Sequence, residues 1–450
     1  MSSILSCPAT WRLAVAKAVT KPRIDIETGL VTLFLVSFPL FVVTLRSWAS
    51  TMLLVGAVLC TLALVLRQQN TVWAEETVWL RRAVLLTLLA PAMATALGCL
   101  LRGQCTWTLF DTPFRFVLAA IVFWFAVDRK IDFLRVFQYV VVATLLGMAL
   151  HQLFFPQPRL WGPHRMSTYF ADPLAFGYLS LTLGLVSLAS IDALGKDSPV
   201  VVGCKLLGAV VGGLLSVYSS SRTGWLAVPI LVGLWWLGRS CVGDVRGQRI
   251  RIAVVGVAVV VVAGAWMSPM ERRVESAIQE VQHYPWTGLA PETSVGIRIS
   301  LLRIANDMFQ AHPVAGVGDT RLMQAHLPAQ VQEYATFQTQ RIALKSGFHN
   351  EIVTNTIRHG LPGLVAYTML FVVPWVVFRR QLRSPVRAQR ANARVGIVCI
   401  VCISVSSLST EVFDMKHMAS FWALTLALLC ASAMAADDPS TPSAETERMP

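Results

Sequence analysis

Four residues combine a reactive side chain with an informative setting: Arg165, Arg222, Arg298 and His349. Arg165 lies in GPHRMSTYFADPLAFG, and Arg222 lies in SSSRTGW among Ser219, Ser220, Ser221 and Thr223. Where a helix begins, free N–H groups, hydroxyls and a guanidinium together suit an anion. The competing reading is an interfacial arginine snorkelling to lipid headgroups. Arg298 shares a helical stripe with Leu302, Ala305 and Phe309, so it is expected on the apolar line, where a guanidinium needs a partner. That partner is either a carboxylate such as Glu292 or a ligand phosphate. Arg303 falls with Ser300 and Asp307 on the polar side, where a solvated role is expected. His349 is followed by Asn350 and Glu351, either of which could orient its ring. A neutral imidazole, with a reference pKa of about 6.5, can take a proton from a hydroxyl. A lone histidine also serves as a plain structural residue, and both readings stay open at this point.

The elements that must position these residues are membrane helices. The chain has 450 residues, 55% hydrophobic and only 14% charged, where a soluble chain carries about 25%. A bilayer core of about 30 Å needs roughly 20 apolar residues in a helix. Runs that meet or nearly meet this length are 30–45, 49–66, 83–101, 113–127, 133–155, 174–191, 200–218, 224–237 and 250–267. After a long polar gap come 363–378, 395–408 and 418–434. The expected fold is therefore an all-α polytopic membrane protein of about twelve transmembrane helices, with a long helical outer segment between the ninth and tenth. Residues 1–29 read as an inner N-terminal segment followed by a signal anchor, 30–267 as the first nine helices, and 268–358 as the outer segment. Residues 359–434 read as the last three helices, and 435–450 as a disordered inner tail rich in Pro, Ser, Thr and acid.

The net charge of +13 follows the positive-inside rule, with most of the 38 Lys and Arg in inner segments if the N-terminus is inside. Arg379, Arg380, Arg383, Arg387, Arg390 and Arg394 crowd the inner loop before the eleventh helix. That placement assigns the basic charge to topology and anionic lipid, not to nucleic acid. The nine cysteines lie mostly in apolar runs, and none is in the outer segment. Cys399 and Cys402, inside a membrane helix, read as packing, and a Cys99–Cys105 bridge is one option.

The outer segment is too long for a simple connector. Residues 293–309, TSVGIRISLLRIANDMF, form an amphipathic helix that stops before His312-Pro313, and Gly316-Val317-Gly318 forms a turn. Asp172 and Pro173 have the types of a helix N-cap and first position. No outer loop contains Asp-x-Asp, and no phosphate-binding G-x-x-x-x-G-K-[ST] is present. A metal–nucleotide-sugar site and an ATP-driven step are therefore unsupported.

Taken in order, four motifs resemble one family: Arg165 with ADPLAFG, SSSRTGW around Arg222, GIRI from Gly296 with HPVAGVG ending at Gly318, and FHNEIV from Phe348 with HGLPGLV. Together they are similar to the O-antigen ligase and polymerase superfamily, membrane glycosyltransferases of the C class. Asp172-Pro173-Leu174 stands where relatives often carry Pro-Asn. The resemblance implies an undecaprenyl diphosphate-linked O-antigen as donor, a lipid A-core hydroxyl as acceptor, and inverting transfer without a metal or other cofactor at the periplasmic face of the cell inner membrane. On that expectation Arg165, Arg222 and Arg298 hold the diphosphate and His349 is the base. Rival expectations are an O-antigen polymerase or a protein O-oligosaccharyltransferase using the same donor. A transporter of an anionic lipid or small anion is a rival of another class, disfavoured because the apolar runs hold few ionisable residues away from their ends.

Overall fold

The computed structural model describes residues 26–66, 75–162, 165–221, 223–237 and 270–435. Among them every regular element is a helix. In chain order these are α1 (Ile26–Ser37), α2 (Trp48–Leu66), α3 (Glu75–Arg102), α4 (Asp111–Asp128), α5 (Leu134–Phe154), the single turn α6 (Pro158–Trp161), α7 (Pro173–Ala189), α8 (Pro199–Tyr218) and α9 (Ala227–Leu237). Then follow α10 (Met270–Gln282), α11 (Ser294–Ala311), α12 (Thr320–Ala325), α13 (Val331–Tyr334), α14 (Phe337–Ser346), α15 (Glu351–Gln381), α16 (Arg387–Ser407) and α17 (Lys416–Met434).

Among the described residues, eight helices are long and apolar enough to cross a membrane, those of α2, α3, α4, α5, α8, α15, α16 and α17. The run 113–127, short on paper, belongs to a 22-residue span, Trp107–Asp128, because a 3-10 turn extends it backwards. Three of the expected twelve fall short of a full span among the described residues. Helix α1 has 12 residues and gives way to turns at Pro39, which lacks an N–H and would clash with the preceding turn of a continued helix. Helix α7 has 17 residues and α9 has 11. The run 250–267 lies outside the described residues.

The chain's own caps set the helix starts that matter for the site. Asp172 accepts from the Ala175 N–H with Pro173 in the first position, as their types foretold, and Ser198 with Pro199 repeats the device on α8. The Thr293 hydroxyl accepts from Gly296 N–H to start α11, which ends at His312 before Pro313. Asn350 accepts from Val353 N–H at 3.1 Å to start α15.

The core is built around α17, whose residues Met418–Met434 are buried on every side by α2, α3, α4, α15 and α16. Beside it α7 and α8 pack through small residues: Gly184 faces Ala209 and Gly212, and Gly208 faces Ser187. Such contacts let helix backbones approach where lipid offers no hydrophobic drive. Residues 284–348 build a second, smaller core of Leu301, Ile304, Met308, Val331, Tyr334 and Ala343, which closes on Phe348 and Ile357 at the start of α15.

Candidate active site

The site forms where α15 begins. Gly347, at φ 83°, turns the chain, and His349 follows at φ 52°, a left-handed backbone that histidine adopts more readily than most residues. Phe348 N–H donates to Thr354 Oγ1 at 2.9 Å, and the Thr354 hydroxyl donates to Glu411 Oε1 at 2.9 Å. The other carboxylate oxygen of Glu411 lies 3.7 Å from His349 Nδ1. The Glu411 side chain is 6% exposed and that of His349 34%, so a buried carboxylate stands behind a ring that reaches solvent. This separation is beyond a hydrogen bond but within ion-pair range, and such contacts commonly tighten when substrate binds.

Sequence proximity had offered Asn350 and Glu351 as the partners that orient the ring, and the structure corrects this. Asn350 spends its side chain on the helix cap. Glu351 points inward, accepting from Asn355 Nδ2 at 2.6 Å and from the Phe413 N–H at 2.8 Å. The carboxylate beside the ring comes instead from the connection between α16 and α17. The same connection carries Asp414, which accepts two bonds from Arg358, at 2.5 and 2.7 Å.

A second loop fixes the far end of this first segment of α15. The helix is interrupted at Gly360, φ 67°, where a Cβ would strike the backbone of Pro313 and Val314. The carbonyls freed there are taken up by the 313–318 turn: Val317 N–H donates to Ile357 O at 2.8 Å and Gly318 N–H to Arg358 O at 2.9 Å. Arg102, ending α3, donates to Ala315 O at 2.5 Å and to Arg358 O at 3.1 Å. Thr106 and Thr108 donate to Asp319 at 2.6 and 3.0 Å, and Cys99 and Cys105 close a disulfide at this end of α3. The segment holding His349 is thus clamped from both sides.

The segments of Arg165 and Arg222 meet each other near the N-terminus of α7. Arg165 is exposed, and the next residue, Met166, donates its N–H to Tyr218 O at 3.0 Å. Arg222 lies outside the described residues, but its neighbour Ser221 is buried and donates from Oγ to Leu174 O at 3.4 Å. Gly177 leaves no room for a Cβ beside Ser219 and Ser221. Phe170 then packs edge-on against the His417 ring, with centroids 5.2 Å apart, so this loop borders the start of α17.

Arg298 departs from its expected place. It is exposed in the second turn of α11, and Leu302 beside it is 51% exposed. The buried seam runs through Leu301, Ile304, Ala305 and Met308, with Ser300 drawn in by a 2.8 Å hydrogen bond between its hydroxyl and that of Tyr284. That shifts the seam away from Arg298, which sits on its rim and needs no buried partner. Arg303 is not simply solvated either: its guanidinium lies 4.0 Å from the centroid of the Tyr334 ring. Sequence reading also missed Glu411 and Arg358. The available signal was two carboxylates in the short connection STEVFDM.

Residues 207–368 match a family model described as O-antigen ligase. No curated protein matches the chain. The matched stretch runs from α8 to the middle of α15, so Arg222, Arg298 and His349 fall inside it, whereas Arg165, Glu411 and Asp414 fall outside. Together with the apolar spans, this makes the chain a multi-pass membrane enzyme of the glycosyltransferase type that carries a domain of the O-antigen ligase family and so acts on lipid-linked glycans.

Proposed function

We propose that the enzyme transfers O-antigen polysaccharide from undecaprenyl diphosphate to a sugar hydroxyl of lipid A-core, by metal-independent inverting transfer at the periplasmic face. The observation that carries this reading is a half-exposed His349 backed by buried Glu411 on a rigidly clamped loop. His349 takes the proton of the acceptor hydroxyl as that oxygen bonds to the anomeric carbon. The bond from that carbon to the diphosphate breaks on the opposite face, and its electron pair leaves with the diphosphate. Arg165, Arg222 and Arg298 receive the growing negative charge, a role for which a forked guanidinium suits better than a point charge.

In the same reading the chain crosses the membrane about twelve times, with both termini and the Arg379–Arg394 loop inside and residues 268–349 outside. Two features support this orientation. The Cys99–Cys105 disulfide lies at the His349 end, as an oxidising compartment favours. The arginine-rich loop follows the opposite end of α15. A membrane-impermeant thiol reagent is expected to label Gln330→Cys and to leave Gln389→Cys unlabelled; the reverse pattern overturns the orientation.

The reading is tested with purified enzyme, lipid-linked donor and lipid A-core. Core-linked product is expected to form undiminished in excess EDTA. Loss restored by magnesium or manganese refutes the metal-independent route. Lengthened lipid-linked glycan in place of core-linked product reassigns the enzyme as a polymerase.

A further inference from the structure

Outside the His349 site, the described residues hold a cleft of about 540 Å³ on the outer segment, on the side of α11 turned away from its buried seam. That volume is within the range of small-ligand sites, roughly 300–1,000 Å³. One wall is aromatic. Trp286 is 67% exposed, and its ring meets the buried Tyr284 edge-on at 5.1 Å. Tyr334 forms the floor, its hydroxyl donating to Asp307 at 2.6 Å. Burial and the Asp307 bond together push this phenol well above its ordinary range, so it stays a neutral donor.

Arg303 ties the wall together. Its guanidinium lies 4.0 Å from the Tyr334 centroid, 5.8 Å from that of Trp286 and 6.0 Å from that of Tyr284. Its Nη1 is buried without a hydrogen-bond acceptor, so the ring faces are what hold it. Asn306, Asp307 and Glu333 also line the cleft. An exposed, pre-positioned indole beside carboxylates and an amide is the chemistry that recognises a sugar. The ring's C–H face stacks on the aromatic, and the carboxylates and amide take the hydroxyls in pairs. The two carboxylates outweigh the one guanidinium, which disfavours an anionic ligand such as a phosphorylated core.

We propose that this cleft is a subsite for neutral or N-acetylated pyranosyl units of the lipid-linked donor glycan, stacked on Trp286. It rests on the reading of the enzyme as a lipid-linked-glycan transferase. The subsite holds the polysaccharide away from the reacting end, so that binding energy from remote sugars helps place the first one at His349.

The test uses full-length purified enzyme and two probes. With donor carrying the full glycan, Trp286→Ala and, separately, Glu333→Gln are expected to lower kcat/KM by roughly three- to ten-fold, mostly through KM. With undecaprenyl diphosphate carrying a single sugar, both variants are expected to match the wild type. Equal losses on the two donors, or no loss on either, overturn the subsite. Free oligosaccharide released from the strain's own lipopolysaccharide gives an independent reading by saturation-transfer NMR. Signal on the wild type that disappears in Trp286→Ala supports the subsite, and signal that persists in the variant overturns it. If the wild type binds the oligosaccharide but forms no core-linked product, the proposed reaction fails and the subsite stands.

Discussion

His349→Ala is expected to reduce transfer by about 10²–10⁴-fold, the usual worth of a positioned general base. The imidazole is half-exposed, and its loop is held by neighbours rather than by the ring. Folding should therefore survive its loss. Alanine does pay a backbone cost at φ 52°, so His349→Asn is the cleaner variant, because asparagine tolerates the left-handed region and lacks a base at pH 7. In the proposed reaction Glu411 acts through His349. Glu411→Gln keeps an acceptor for the Thr354 hydroxyl but removes the charge behind the ring. It is expected to lower kcat by a smaller factor while the donor KM stays near the wild-type value. If Glu411→Gln instead raises KM with kcat unchanged, Glu411 belongs to donor binding.

Arg298→Ala and Arg222→Ala are expected to weaken donor binding and slow the chemistry by about 10²–10³-fold, the cost of losing one charge-assisted bond to a developing anion. Exposure of Arg298 sharpens this test. An exposed arginine on a helix rim contributes little to folding, so a large loss there reports on the ligand and not on stability. Arg298→Lys is expected to recover only part of the loss, because an ammonium cannot make the forked contact. Near-wild-type kinetics in Arg298→Ala would return that arginine to an ordinary surface role.

The parts of this molecule that were legible in the sequence are those decided within a few residues. Asp172-Pro173 announced a helix start, Thr293 to Phe309 an amphipathic helix, and Gly316-Val317-Gly318 a turn, and each is present. The membrane class followed from the apolar runs, although hydropathy did not register the break at Pro39. What escaped was set by contacts between distant segments. Glu411 and Thr354 are 57 residues apart, and Arg358 and Asp414 are 56 apart, so no local pattern pairs them. Arg298 was misplaced because the apolar face of α11 is broad, and contacts with distant segments, among them Tyr284 on Ser300 and Val331 and Tyr334 in the same core, settle which edge of it is buried. Arg303 looked like a wet-face residue because its aromatic partners lie on either side of the helix in sequence.

Simple activity screens blur the proposed division of labour between a base and a diphosphate clamp, because both classes of variant lose similar factors. The direct measurement is equilibrium binding of undecaprenyl diphosphate to purified His349→Asn and Arg298→Ala, set beside single-turnover transfer by each. Near-wild-type binding with abolished transfer is expected for His349→Asn, and weakened binding with slowed transfer for Arg298→Ala. Binding lost as severely in His349→Asn as in Arg298→Ala, or transfer retained at near-normal rate in His349→Asn, would overturn that division of roles.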